Sequence, residues 1–359
     1  MKTGIKVMII IALIAVLALA GILFILPPGN GKLPKKSNSE NSLHEKTRLN
    51  VEGTFLTLML LAEDTTKPVL MVCGGGPGIP QYLLEDMYPS VLSEEFILCY
   101  WDYRGTGLSF NKNLKAENMT TERFIKDALF VADYLSKRFN QEKIYIMGHS
   151  FGTYVALNTV NQHPEHFKAY IAMAQMCTQK ESECLAFEYM KAQYEAMGNL
   201  KMAKKLARYD IRNSEEDFKS YSHSGLRDKA MHELGVGTAR NLHSVITGIF
   251  LPSLRCRAYT QKERINIWRG KIFSNDFAIR HDTLNFYAFD AVKTLDIPVY
   301  FVAGKYDYTC CFDLQKKYFE HISAPKKELF VFENSAHSPL YEEPEKAREV
   351  LRHIKGGLK

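Results

Sequence analysis

The 359-residue chain has no cluster of histidine, cysteine, aspartate or glutamate at metal-ligand spacing, so no metal site is expected from it. Its seven cysteines, at 73, 99, 177, 184, 256, 310 and 311, are odd in number and scattered, which excludes both a zinc set and a disulfide framework. Cys73 and Cys99 fall inside strand patterns and read as buried thiols, a usage that suits a reducing compartment. The net charge of +6 is spread along the chain without any aromatic–basic motif, so nucleic acid is not an expected partner. No internal repeat is present. The one stretch without apolar periodicity is residues 27–46, rich in Pro, Gly, Asn, Ser and Lys, which reads as a flexible linker.

Among the features present, Gly148-His149-Ser150-Phe151-Gly152 carries the most information. It follows the apolar run Ile144 to Met147 and opens a helix-like segment, Thr153 to Leu157. Strand, tight turn and helix are the setting in which Gly-x-Ser-x-Gly forms a nucleophile elbow. The glycines are needed because side chains there would collide where the helix packs back on the strand. Taken alone the pentapeptide is weak, since a turn serine satisfies it equally well.

Three further features strengthen it. Val69 to Cys73 reads as a buried strand running into Gly74-Gly75-Gly76-Pro77-Gly78, where backbone N–H groups can approach a carbonyl oxygen closely. The Phe151 N–H, at the start of the helix, would be the second donor of such an oxyanion hole. Ile297 to Gly304 is another apolar strand and leads to Asp307; a helix N-cap is the alternative for that residue, although Asp313 could serve there. Finally, His337 lies on a loop after the strand Glu328 to Phe332. The order Ser150, Asp307, His337, one per strand end, is that of a nucleophile, orienting acid and general base on a parallel sheet.

On these residues the chain resembles the α/β-hydrolase superfamily, and within it the proline iminopeptidase (prolyl aminopeptidase) branch. That branch carries His-Gly-Gly-Pro-Gly and Asp-x-Arg-Gly-x-Gly-x-Ser. The second is matched in full by Asp102-Tyr103-Arg104-Gly105-Thr106-Gly107-Leu108-Ser109, whereas the first has Gly74 in place of its histidine. The resemblance covers about residues 50–170 and 295–355. It implies an α/β fold with a mainly parallel sheet covered by helices on both faces. It also implies Ser150, Asp307 and His337 as the triad, and Gly76 with Phe151 as oxyanion donors, Gly75 being the fallback. Asp102 and Arg104 would brace loops without reacting, and no cofactor would be needed.

Alternating strands and helices give a core at 47–177 and 291–359, interrupted by a mostly helical insertion at 178–290. In this superfamily such an insertion forms a cap. Its helices are expected at Ser182 to Ala196, Leu200 to Tyr209 and Asp228 to Leu234; Val245 to Leu251 and the region of Trp268 either line the pocket or form the cap's own core. Prolyl aminopeptidases hold the substrate's amino terminus with cap carboxylates, which makes Glu181, Glu183, Glu188 and Glu195 the substrate-binding candidates, although none matches a family motif. The expected function is acyl transfer by a serine hydrolase, an aminopeptidase on small peptides. A carboxylesterase or lactonase is the alternative, and a binding protein that keeps the fold without activity is the other.

Residues 1–26 hold an unbroken apolar run, Val7 to Leu26, preceded by Lys2 and Lys6. Twenty helical residues span about 30 Å, the thickness of a hydrocarbon core. The sequence therefore predicts a single-pass membrane anchor. Ala18-Leu19-Ala20 keeps a cleaved signal peptide open, but Gly21 to Leu26 continues the run beyond it. Flanking lysines are nearly balanced, and an extracytoplasmic catalytic domain is the default orientation, against which the cysteine usage argues.

Overall fold

The computed structural model describes residues 8–10, 13, 16, 17, 21, 29–35 and 39–357. Eight strands form one sheet in the order β1-β2-β4-β3-β5-β6-β7-β8. They are β1 (Leu43–Val51), β2 (Thr54–Ala62), β3 (Val69–Cys73), β4 (Ile97–Asp102), β5 (Ile144–His149), β6 (Phe167–Met173), β7 (Val299–Gly304) and β8 (Lys327–Phe332). β1, β2 and β4 pair antiparallel, and all the remaining pairings are parallel. β3, β4, β5 and β7 are buried at every position, which is why they appear in the sequence as continuous apolar runs. In β1 the polar residues His44 to Thr47 extend the ladder against Leu58 to Leu61.

The strand order reverses around β3, which lies between β4 and β5. The carboxyl ends of β3 and β5 therefore open a crevice where a parallel sheet places ligands. The faces are covered by helices such as Thr121–Phe139, which buries Phe124, Ala128, Val131, Ala132 and Leu135 at helical spacing. Of these, Phe124, Val131 and Leu135 each contribute about 1.5–3 kcal/mol by leaving water. That helix starts on Thr120, whose side chain accepts the Arg123 N–H, and stops at Asn140 in the left-handed region.

Two expected boundaries differ from what is observed. The insertion at 178–290 is not one cap. Gln179–Ala196, Leu200–Leu206, Glu215–Ser222 and Gly225–Glu233 share their own core, built on Ala186, Met190, Leu206, Tyr221 and Met231. From about residue 256 the chain returns to the main domain, where Phe277 and Ile279 join the core that contains Tyr103 and Phe124. Trp268 packs against the main core and donates to Ser253 Oγ at 2.9 Å, and Val245 to Leu251 is half-buried to exposed, so neither forms a cap core. Within the linker, Gly31 donates to the Arg257 carbonyl at 3.2 Å and Leu33 is buried beside Tyr259, so this part is docked on the domain.

The membrane anchor is corrected. No helix among the described residues is long and apolar enough to cross a membrane, and most of Val7 to Leu26 lies outside them.

Candidate active site

β5 ends at His149, and the helix Phe151–Gln162 starts two residues later, leaving Ser150 alone to make the turn at φ 56°, ψ −124°. A non-glycine residue held there costs on the order of 1–3 kcal/mol, which the surrounding packing must offset. The packing is tight. A Cβ on Gly152 would lie 1.9 Å from the Cys73 carbonyl oxygen, and one on Gly148 would lie 2.5 Å from Thr153 Cα. Only glycines let the helix sit this close to β3 and β5. Ser150 is further fixed by its N–H, which donates to the Met173 carbonyl at 3.2 Å.

Asp307 follows β7 and has no exposed surface. Its Oδ1 accepts the N–H groups of Thr309 and Cys310, each at 2.9 Å, and its Oδ2 accepts Gln315 Nε2 at 3.1 Å. Both oxygens lie 3.0 Å from His337 Nδ1. A carboxylate can only accept, so Nδ1 carries the hydrogen and Nε2 is left with its lone pair. The N-cap alternative for Asp307 is not what forms: the helix Phe312–His321 starts from Cys311 without a side-chain cap. The His337 loop is held by half-buried Glu342, which accepts the N–H groups of Ala336 and Ser338 at 3.0 and 3.1 Å. From the insertion, the Gly237 carbonyl accepts the His337 N–H at 3.3 Å.

The glycine-rich loop after β3 comes within van der Waals distance of the serine: a Cβ on Gly75 would lie 3.4 Å from Ser150 Cβ. The Gly75 N–H already donates to Gln81 Oε1 at 3.1 Å, whereas the Gly76 N–H has no acceptor among the described residues. Phe151 is the first residue of its helix, where an N–H has no intrahelical partner. Gln81 also fills the space that a side chain at Gly74 would take, its Cβ being 2.9 Å from that position. This accounts for the missing histidine of the family motif, since there is no room for both.

Two residues that the sequence did not single out complete the site. His149 is buried, and burial, with His337 beside it, pushes its ring down to about 3. It is therefore neutral, with one N–H, and the His337 carbonyl 2.9 Å from Nε2 takes it. Nδ1 is then bare and faces the Gln81 carboxamide at 3.1 Å. Gln81 can serve the Gly75 N–H with its oxygen or His149 Nδ1 with its nitrogen, but not both from one atom. Nothing local in the sequence marks Gln81. His149 is the variable position of the elbow, so the motif assigns it no role.

Asp102 and Arg104 take bracing positions. Asp102 accepts the Leu108 N–H at 2.7 Å, and burial pushes its carboxyl up to about 7. Arg104 forms a two-point ion pair with buried Asp127 on the helix Thr121–Phe139. The four cap glutamates separate. Arg212 claims both Glu181 and Glu188 on the exposed face, and Glu195 is exposed, so the structure does not bring these three to the serine. Glu183 is buried and is gripped at both oxygens by Arg227, which also pairs with Asp228. Gln179 links Glu183 to the Thr309 carbonyl beside Asp307. At the opposite edge of the sheet, His163, Glu165 and His166 come together in a group that residue spacing did not reveal, and His166 is already beside Asp133.

Fold and site together define the α/β-hydrolase class. The family described as serine aminopeptidase, S33, matches residues 83–245. A probable aminopeptidase, YbaC, of Bacillus subtilis (strain 168) is 29% identical over 312 residues, covering 86% of this chain and 96% of that protein. A proline iminopeptidase of Heyndrickxia coagulans is 22% identical over 303 residues, covering 84% and 96%. Among solved structures, the proline iminopeptidase of Mycobacterium smegmatis superposes with a TM-score of 0.65 at 16% identity, covering 88% of this chain and 98% of that one. The chain is a serine hydrolase of the α/β-hydrolase type, similar to the proline iminopeptidases.

Proposed function

We propose that the protein is an aminopeptidase that releases the N-terminal residue of small peptides by acyl transfer. The observation that carries this reading is the fully buried Asp307 accepting His337 Nδ1–H on the same sheet edge as the strained Ser150. In this mechanism the Ser150 hydroxyl attacks the scissile carbonyl while His337 Nε2 takes its proton. The resulting imidazolium is stabilised by Asp307, which stays ionised. The oxyanion accepts from the Gly76 and Phe151 N–H groups, which are in place before the charge develops. Collapse of the intermediate moves the proton from His337 to the leaving amine. Water, deprotonated by the same ring, then releases the acyl group.

Specificity for a free amine has a physical basis in the cap. Glu183 and Asp228 share the single guanidinium of Arg227, which leaves one net negative charge near the site. An ammonium brought into a partly closed cleft requires such a partner. The aminopeptidase names of the relatives support the same reading. The test compares proline β-naphthylamide, other aminoacyl amides and short p-nitrophenyl esters on the purified protein. Cleavage of aminoacyl amides, abolished by N-acetylation of the substrate, is expected. Hydrolysis of esters alone would replace this reading with a carboxylesterase.

A further inference from the structure

At the end of the sheet opposite Ser150, two histidines and a carboxylate converge in a group that the mechanism does not use. The helix Phe151–Gln162 stops at His163, whose N–H donates to the Thr159 carbonyl at 2.9 Å, and Pro164–His166 form a single tight turn before β6. Proline fixes its own φ, so the backbone that carries the two histidines is held in place. Nδ1 of His163 and Nε2 of His166 each lie 3.4 Å from the same Glu165 oxygen, Oε1. One ligand atom from each of the three residues falls within 4.8 Å of the other two. His166 is also set from behind: Asp133, on the helix Thr121–Phe139, places its Oδ1 3.1 Å from His166 Nδ1. All these side chains reach solvent, so an ion in solution has access to them.

The hydrogen positions decide what can lie between these atoms. The Asp133 carboxylate can only accept, so His166 Nδ1 carries the hydrogen and Nε2 keeps its lone pair. That lone pair faces Glu165 Oε1, and two electron pairs so placed repel unless a cation lies between them. A proton shared across 3.4 Å would make a stretched bond, beyond the usual range of about 2.7–3.2 Å for N–H···O. A metal ion fits better: bonds of about 2.1 Å at tetrahedral angles set neighbouring ligand atoms about 3.4 Å apart. A carboxylate behind a ligating histidine is the usual outer partner of such an ion, and Asp133 stands there. We propose that His163, Glu165 and His166 bind one divalent transition-metal ion, zinc foremost, with Asp133 orienting His166 and water completing the coordination. The ion is structural and takes no part in catalysis. The seven residues of β6 separate it from Met173, whose carbonyl holds the Ser150 N–H, a span of about 20 Å. Through Asp133 it clips the turn before β6 to the helix Thr121–Phe139.

The test titrates the purified, chelator-treated protein with zinc chloride by isothermal calorimetry at about pH 7.5, where an ordinary imidazole is neutral. One ion per chain is expected, with a dissociation constant in the micromolar range. Magnesium and calcium, which prefer all-oxygen sites, should give no binding heat at the same concentrations. Glu165→Ala and His166→Ala should each weaken zinc binding by about a hundredfold or more, and Asp133→Ala by about tenfold to a hundredfold. His281→Ala, at an exposed histidine beside Asp282, should leave it unchanged. Hydrogen exchange then locates the ion: zinc should slow the amides between residues 163 and 167 in the wild type and not in His166→Ala. Absence of zinc binding, equal heats from magnesium, or wild-type affinity in both Glu165→Ala and His166→Ala would overturn the site. So would loss of binding in His281→Ala, or zinc-dependent protection confined to another part of the chain.

Discussion

Replacing His149 with glutamine should make the protein's stability less sensitive to acid, and the size of the change follows from the burial of that ring. In the fold, burial and the neighbouring His337 hold His149 at about 3, against 6.5 for a free imidazole. Its folded value lies below its unfolded one, so the neutral ring favours the fold. Its contribution is present in full above pH 6.5 and is lost as the pH falls toward 3. Between pH 8 and pH 5 the unfolded chain takes up this proton while the fold refuses it. That covers about 1.5 pH units at 1.36 kcal/mol each, or about 2 kcal/mol. Glutamine cannot be protonated. His149→Gln will lose some stability at pH 8, because the bond from Nε2 to the His337 carbonyl is removed, but its further loss on going to pH 5 should be smaller than that of the wild type by about 2 kcal/mol. Urea unfolding at the two pH values, followed by circular dichroism, gives both differences. Equal losses in the two proteins would refute a neutral buried His149.

Gly152→Ala should cost about 3 kcal/mol or more, since its methyl group would enter the Cys73 carbonyl and force the helix off β3; thermal unfolding checks this, and a change within 1 °C of wild type would contradict the packing. Asp127→Ala should lower stability by about 3–5 kcal/mol by stranding buried Arg104, and Arg104→Met in the same chain should recover most of it. Gln81→Ala should lower kcat about tenfold with KM within twofold, because the Gly75 segment of the loop loses its anchor. An unchanged kcat would remove Gln81 from the positioning of that loop.

The strands were legible because β3, β4, β5 and β7 are buried on both faces and show as unbroken apolar runs. The positions of Ser150, Asp307 and His337 just beyond β5, β7 and β8 could be read for the same reason, since a parallel sheet brings its carboxyl ends to one edge. The insertion was less legible. Its glutamates all sit on one helix, and which of them turns inward depends on where Arg212 and Arg227 come to lie, from segments 24 to 44 residues away. The return of Phe277 and Ile279 to the main core is equally non-local, because an amphipathic helix does not announce which domain covers its apolar face. The apolar run at Val7 to Leu26 was read by length and hydropathy alone, and no described helix meets those criteria.

The central claim is that Ser150 is the nucleophile of a serine hydrolase. It is tested most directly by exposing the purified protein to a fluorophosphonate and locating the adduct by peptide mass spectrometry. A single adduct on Ser150 is predicted, absent from Ser150→Ala, with turnover by that variant lower by a factor on the order of 10⁶. An adduct on another residue, or a Ser150→Ala protein that labels and turns over like wild type, would contradict the account.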